Sequence, residues 1–227
     1  MKWTCVSAAL LTAVACIQPA SAALVSAGFN SNTGASIDFT GGSNFSFTST
    51  GTGGFHIASE NGGALLINLN GDITGTYNIG TVTTFGPTEM APVTGSGSLI
   101  IYDGPGISGS QFTATLSWVS MSQTGTGVNA NVNGTVNLSG MNYGGSNADL
   151  LSLVSTGSKL GIATLAFSFN SATTLDQLKT GTFHDNYTGT ISPLPEPGFY
   201  GVLCLGLISI VAGAKRVNAK ARLSKNV

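Results

Sequence analysis

From Val128 to Ser139 the side chains alternate in character. Val128, Ala130, Val132, Val136 and Leu138 hold the even positions, and Asn129, Asn131, Asn133, Thr135, Asn137 and Ser139 hold the odd ones. Successive side chains of a strand point to opposite faces, so the pattern describes a strand with one side in a core and the other in water. Gly134 falls in the apolar row and marks a bulge or a bend. The same period returns from Gln111 to Val119, where Phe112, Ala114, Leu116 and Trp118 oppose Thr113, Thr115 and Ser117. It returns again between Gly161 and Phe169, where Ala163, Leu165, Phe167 and Phe169 lie together. Trp118 continues the Phe112 row and therefore belongs to the core.

Shorter runs of the same kind are Ser36 to Thr40, Asn44 to Thr48, Phe55 to Ser59, Ala64 to Leu69, Ile73 to Phe85, Ser96 to Tyr102 and Phe183 to Ile191. Glycine pairs and Asn-Gly steps punctuate them, among them Gly41-Gly42, Gly53-Gly54, Asn70-Gly71 and Gly144-Gly145. Many short strands at this spacing predict an all-β fold, with residues 35–192 forming an antiparallel β-sandwich or jelly-roll-like body. Two stretches break the alternation. Ala148 to Val154 reads as a helical turn capped by Asn147, and Thr174 to Leu178 as a short helix. Residues 23–34 read as a loose leader.

Charge is scarce, at 7% of residues against about 25% in ordinary globular chains. It is also unevenly placed. Residues 23–194 hold only two cations, Lys159 and Lys179, against eight acids, a net of −6. A body so poor in cations cannot neutralise phosphates, which excludes nucleic acid as a partner. Contact with an anionic polysaccharide would need bridging cations. The three cysteines, Cys5, Cys16 and Cys204, all lie outside the body, so its stability rests on burial and not on disulfides.

The motifs of catalysis are thin. Gly104-Pro105-Gly106-Ile107-Ser108-Gly109 has G-x-G-x-x-G spacing, but a dinucleotide site needs a helix next, and the chain's clearest strand follows instead. Gly144-Gly145-Ser146-Asn147-Ala148 lacks the last glycine of a nucleophile elbow. His56 and His184 are the only histidines, neither at metal-ligand spacing, so no catalytic residue and no zinc site is assigned. No cofactor is expected beyond structural calcium, for which Asp72 beside Asn68 and Asn70, and Asp149 near Asn142 and Asn147, supply oxygen-rich loops. Asn129, Asn131 and Asn133, with Tyr143 as a stacking ring, form the candidate ligand surface, and Tyr187 is a second candidate ring.

The ends of the chain carry an address. Lys2 precedes an apolar run from Cys5 to Ile17, Pro19 breaks it, and Ala20-Ser21-Ala22 has the small-x-small form of a signal-peptidase site. Residues 1–22 are therefore expected to be a signal peptide cut after Ala22. Ala13-Val14-Ala15 before Cys16 lacks the leucine of a lipoprotein signal. At the other end, Pro195-Glu196-Pro197 closes an extended segment, 193–197. An uncharged run of 17 residues follows, Gly198 to Ala214, about 25 Å long as a helix. Lys215 and Arg216 then open a basic tail, 215–227, that stops transfer and stays cytoplasmic.

Pro195, Glu196, Pro197 and Gly198, followed by a hydrophobic helix and a basic cluster, resemble the PEP-CTERM sorting signal. The resemblance implies an exported protein of a Gram-negative-type bacterium. It would be held in the membrane by one C-terminal transmembrane helix and processed by an exosortase, a membrane enzyme with a proposed cysteine nucleophile, to reach the cell surface or the extracellular space. It also implies an association with biofilm and extracellular polysaccharide. The expected role is structural or adhesive and non-enzymatic. The alternatives are an extracellular carbohydrate-binding module and a secreted glycosidase, the latter needing two carboxylates about 5 to 9 Å apart in a cleft.

Overall fold

The computed structural model describes residues 25–125, 131–155, 159–168 and 173–194. Eight strands close on themselves as an antiparallel barrel: β1 (Ala27–Ser31), β4 (Phe55–Glu60), β5 (Asn70–Ile73), β9 (Ser96–Tyr102), β10 (Gln111–Thr124), β11 (Asn131–Tyr143), β12 (Gly161–Ser168) and β14 (Tyr187–Pro193). Their order around the wall is β11-β12-β14-β1-β4-β5-β9-β10, and β10 pairs back onto β11. A second group branches from β10. It runs through β8 (Thr88–Thr94), β6 (Thr76–Ile79), β3 (Asn44–Phe47) and β2 (Ile37–Gly41) to β13 (Thr182–Asp185), with β7 (Thr83–Phe85) hairpinned on β8. All pairings are antiparallel, as the alternation predicts. The pairing closes a barrel and does not show the expected sandwich or jelly roll.

Strand β10 decides the architecture. Its first half, Gln111 to Ser117, pairs with β9 and closes the barrel, while Ser120 to Thr124 pairs with β8 and starts the branch. The switch falls at a bulge, where the register against β11 shifts between Trp118 and Ser120. Bulges bend a strand and raise its twist, which lets one strand serve two ladders. Pro92 pairs with Ser120 beside this break. A proline is tolerated there because the β8–β10 ladder ends at that rung, before β8 turns to pair with β6 at Val93 and Thr94.

The branch covers the barrel end opposite the one that holds Val25 and Leu194. Phe45 meets Trp118 at 5.0 Å between ring centroids, Phe47 meets Tyr187 at 5.0 Å, and Phe39 meets Phe167 at 5.8 Å. Each pair joins a branch strand to an inward side chain of the barrel wall, so one continuous core serves both. Such ring pairs add about 0.5–1.5 kcal/mol each beyond their buried area. At the opposite end, α1 (Ala148–Val154) packs Leu150 and Leu153 into the core. Asn147 caps this helix, its side-chain oxygen accepting from the Asp149 and Leu150 amides. Thr174 and Gln177 form a reciprocal capping box on α2 (Leu175–Thr180).

Several glycines are explained by rings. Phe55 lies over its register partner Gly71, and Phe29 over its partner Gly189, so a Cβ at either glycine would overlap the neighbouring ring. Aromatic cover of this kind compensates for the weak strand propensity of glycine.

Residues 23–34 do not form a loose leader in their described part. Val25, Ala27 and Phe29 are buried, and β1 sits within the wall between β14 and β4. The stretch alternates only briefly and ends in Asn and Gly, so its partners, not its own pattern, make it a strand. Ala64 to Leu69 is a turn and not a strand. Ile73 to Phe85 splits into the ends of β5, β6 and β7.

Candidate binding face and polar sites

The candidate ligand surface lies on the outer wall. Asn131, Asn133, Thr135 and Asn137 of β11 are exposed, while Val132, Gly134, Val136 and Leu138 face inward. Across the ladders, Asn137 stands beside Ser117, Thr135 beside Ser120 and Asn133 beside Ser122. On the other side Thr135 pairs with Thr164, and Thr164 pairs with Thr190, whose hydroxyls are 2.7 Å apart. No residue of β10, β11, β12 or β14 is charged. The result is a broad wall of amides and hydroxyls, with strands about 4.8 Å apart. It can donate and accept hydrogen bonds and exerts no net attraction on ions.

Tyr143 does not belong to this wall. Its ring is buried, and its hydroxyl donates to Asp103 Oδ2 at 2.5 Å while accepting from the Asn147 amide at 3.0 Å. Tyr187 is buried as well, at 1% exposure. Neither ring can stack on a sugar. The inward parity of β11 switches from even to odd positions between Leu138 and Met141, where the register against β10 shifts and Gly140 takes a positive φ, so the plain alternation places Tyr143 on the wrong face. Asn129 lies outside the described residues. So do Ala20, Ala22, Pro195, Glu196, Pro197, Gly198, Lys215 and Arg216. Among the described residues no helix is long and apolar enough to cross a membrane, a statement that does not reach Gly198 to Ala214.

The acids are engaged in holding loops. Asp72 Oδ1 accepts from Ser49 Oγ at 2.5 Å and from the Gly54 amide at 2.7 Å, and its Oδ2 accepts from the Tyr102 hydroxyl at 3.0 Å. Asp149 Oδ2 accepts from the Gly63 and Leu65 amides, both at 3.1 Å. Glu60 Oε2 accepts from the Leu66 amide at 3.0 Å. Burial, and then the neighbouring Asp149 carboxylate, push the Glu60 pKa above its ordinary value despite that amide. Glu60 and Asp149 lie 89 positions apart and meet only because α1 closes over the end of β4. No short-range spacing could have disclosed the pair. N–H donors occupy the loops around Asp72 and Asp149 where calcium would need lone pairs. Among the described residues no group of three or more His, Cys, Asp or Glu could hold a metal ion.

The glycine-rich loop after Tyr102 is the β9–β10 hairpin. Asp103 closes it, its Oδ1 accepting from the Ser110 amide at 2.6 Å, and the Gly104 amide donates to Ser108 O at 3.1 Å. The Gly104 and Ser110 amides are thus spent closing the hairpin. His56 hydrogen-bonds Asn32 Oδ1 at 2.8 Å, and the Asn32 amide donates to Gly53 O, which ties the 52–54 turn to β1. His184 is exposed on β13, beside an open pocket of about 320 Å³ lined by Ser36, His184, Asp185 and Asn186 among others. Ser36 donates to Asp38 Oδ1 at 2.6 Å, so a carboxylate holds this serine, an arrangement unlike a serine–imidazole pair. Burial raises the Asp185 pKa, and its Oδ2 has no hydrogen-bond partner.

Compared with protein-family models, curated proteins and solved structures, the chain matches none.

Proposed function

We propose that this chain is an exported, non-enzymatic surface or extracellular-matrix protein delivered through its C-terminal sorting segment. One observation carries the reading: the folded barrel fits between the expected signal peptide and the Pro195-Glu196-Pro197 motif without sharing residues with either. Val25, three positions after the expected cut at Ala22, is already buried, and β14 ends at Pro193, just before Pro195. Cutting at either place leaves the core whole. The chain ends also leave side by side, because Ala27 pairs with Ile191. The absence of cysteine from the body suits a domain that folds after export without an oxidant.

The uncharged wall around Asn131, Asn133 and Asn137 supports the adhesive part of the reading. Neutral amides and hydroxyls suit polyhydroxylated polymers, each hydrogen bond weak and the sum set by multivalency. The same wall supports the alternative of a carbohydrate-binding module, although no aromatic ring among its described residues lies on it. The glycosidase alternative has less support. Asp72, Asp103, Asp149 and Glu60 accept from backbone amides or buried hydroxyls in tight loops, not from opposite sides of a cleft.

The test is mass spectrometry of both termini, with fractionation of the host, in cells with and without the exosortase-type enzyme. The expected product begins at Ala23, ends near Pro195 to Gly198, and sits at the surface or outside. Without the enzyme it keeps its C-terminus and stays in the membrane. A full-length product, uncut at either end and free in the cytosol, overturns the reading.

A further inference from the structure

We propose that the barrel end from which both chain ends leave rests on the lipid surface. The inference depends on the membrane-anchored form in the reading above. Among the described residues, eight large apolar side chains are exposed, and five of them, Leu65, Ile107, Leu151, Leu160 and Leu194, belong to this one end. They come from five separate segments: the β4–β5 connection, the β9–β10 hairpin, α1, the α1–β12 connection, and the residue after β14. The ladders bring these segments together. Glu60 pairs with Ala27, Tyr102 with Gln111, Phe112 with Tyr143, and Gly161 with Pro193. Two further bonds knit the rim, from the Leu194 amide to Leu160 O at 2.9 Å and from Asn147 Nδ2 to Leu65 O at 2.9 Å.

Lys159, one of the body's two lysines, is exposed beside Leu160. The carboxylates of Glu60, Asp103 and Asp149 accept from the rim amides of Leu66, Ser110 and Gly63. The tether then leaves little choice of partner. Only residues 195–197 separate Leu194 from the apolar run that opens at Gly198. Fully extended, the step from Leu194 to Gly198 spans at most about 14 Å. A barrel on so short a lead presents this end, not its side, to the headgroups, where exposed leucine and isoleucine find apolar cover.

The test uses the full chain with its three cysteines changed to serine and one reporter cysteine added. Reporter sites are Ile107→Cys and Leu151→Cys at the docking end and Phe85→Cys at the far end, where Phe85 is 67% exposed. Each is labelled with an environment-sensitive dye and reconstituted into phosphatidylethanolamine–phosphatidylglycerol vesicles carrying a headgroup-depth quencher. Docking predicts quenching several-fold stronger at positions 107 and 151 than at 85. Protein that floats with the vesicles but shows equal quenching at all three sites overturns docking and leaves the anchor standing. Protection of 107 and 151 that depends on protein concentration, without lipid quenching, overturns it in favour of a second copy. Failure to float overturns docking and anchor together.

Discussion

The Trp118 indole lies across Gly134 of the neighbouring strand, in the space a side chain there would fill. The two residues are diagonal neighbours: Trp118 pairs with Val136 and Gly134 with Met121. The β10 bulge between Trp118 and Ser120 leans the ring toward the glycine. An alanine at 134 gains about 0.4–1 kcal/mol through a stiffer unfolded chain, but its methyl overlaps the ring, and overpacking costs about 1–3 kcal/mol. The overlap wins. Gly134→Ala is expected to lower the melting temperature by several degrees, at about 2–4 °C per kcal/mol for a domain of this size. In a background of Trp118→Leu the same change should cost much less, and the double-mutant cycle measures the difference.

Alkali should unfold this protein before its tyrosines ionise freely. Burial raises the pKa of Tyr77 to about 12 and pushes Tyr102, Tyr143 and Tyr187 upward as well, with the carboxylates of Asp72 and Asp103 adding to the last three. A raised folded pKa means the native state holds its proton more tightly than the unfolded one. That contribution is fully present below about pH 10 and is lost as pH climbs through the folded values. Tyrosinate absorbance and near-ultraviolet circular dichroism should therefore change together in one step above pH 10. Gradual ionisation with the fold intact would contradict the burial of these rings.

Tyr187 offers a change that should stabilise. Its ring is at 1% exposure, and its hydroxyl is buried without a hydrogen-bond partner, near the Asp72 carboxylate. An unsatisfied buried hydroxyl costs about 1–3 kcal/mol. Tyr187→Phe keeps the ring against Phe47 and Phe29 and removes that cost. The denaturant midpoint is expected to rise by an amount equivalent to about 1 kcal/mol, with m unchanged.

Glu60 should make the fold slightly more stable in mild acid. Its folded pKa is raised, first by burial and then by Asp149, so protonation favours the native state. The gain is present below the ordinary carboxyl range and is lost as pH rises through the raised value. Glu60→Gln should remove this dependence and raise the melting temperature at pH 7, with the two proteins converging near pH 4. Melts across pH 4 to 8 decide it. The amide oxygen of glutamine can still accept from Leu66, so the loop bond survives.

The elements legible in the sequence were those whose burial follows their own alternation. β9 matches the run Ser96 to Tyr102, and Asn147 caps α1 where its type and position indicated. β1 and β8 were illegible for different reasons. β1 is five residues long and earns its place from two neighbours, while Pro92 inside β8 argues against a strand until the ladder is seen to end there. Closure into a barrel was also hidden. It turns on a one-residue bulge in β10, and no periodicity records which partner each half of a long strand will take. The polar wall of β11 was legible as a face. The depth of Tyr143 at its end was not legible, because its odd number groups it with the exposed asparagines and only the register shift before Met141 turns it inward.

The loops around Asp72 show how the same residues admit two chemistries until donors are counted. Asp72 with Asn68 and Asn70 reads as a cation site by composition. In the fold its oxygens receive Ser49, the Gly54 amide and Tyr102, which join the 48–54 turn to β5 and β9. An amide N–H cannot turn a lone pair toward calcium, so binding would have to break the bond that holds Gly54. Hydrogen bonds to a charged acceptor contribute about 1.5–3 kcal/mol each, well short of additive in one cluster. Asp72→Ala is therefore expected to cost about 2–4 kcal/mol. Millimolar calcium or chelator should leave the melting temperature of the unaltered protein where it was. A calcium-dependent rise that disappears in Asp72→Asn would mean that the carboxylate serves a metal, and that the Gly54 bond yields to it.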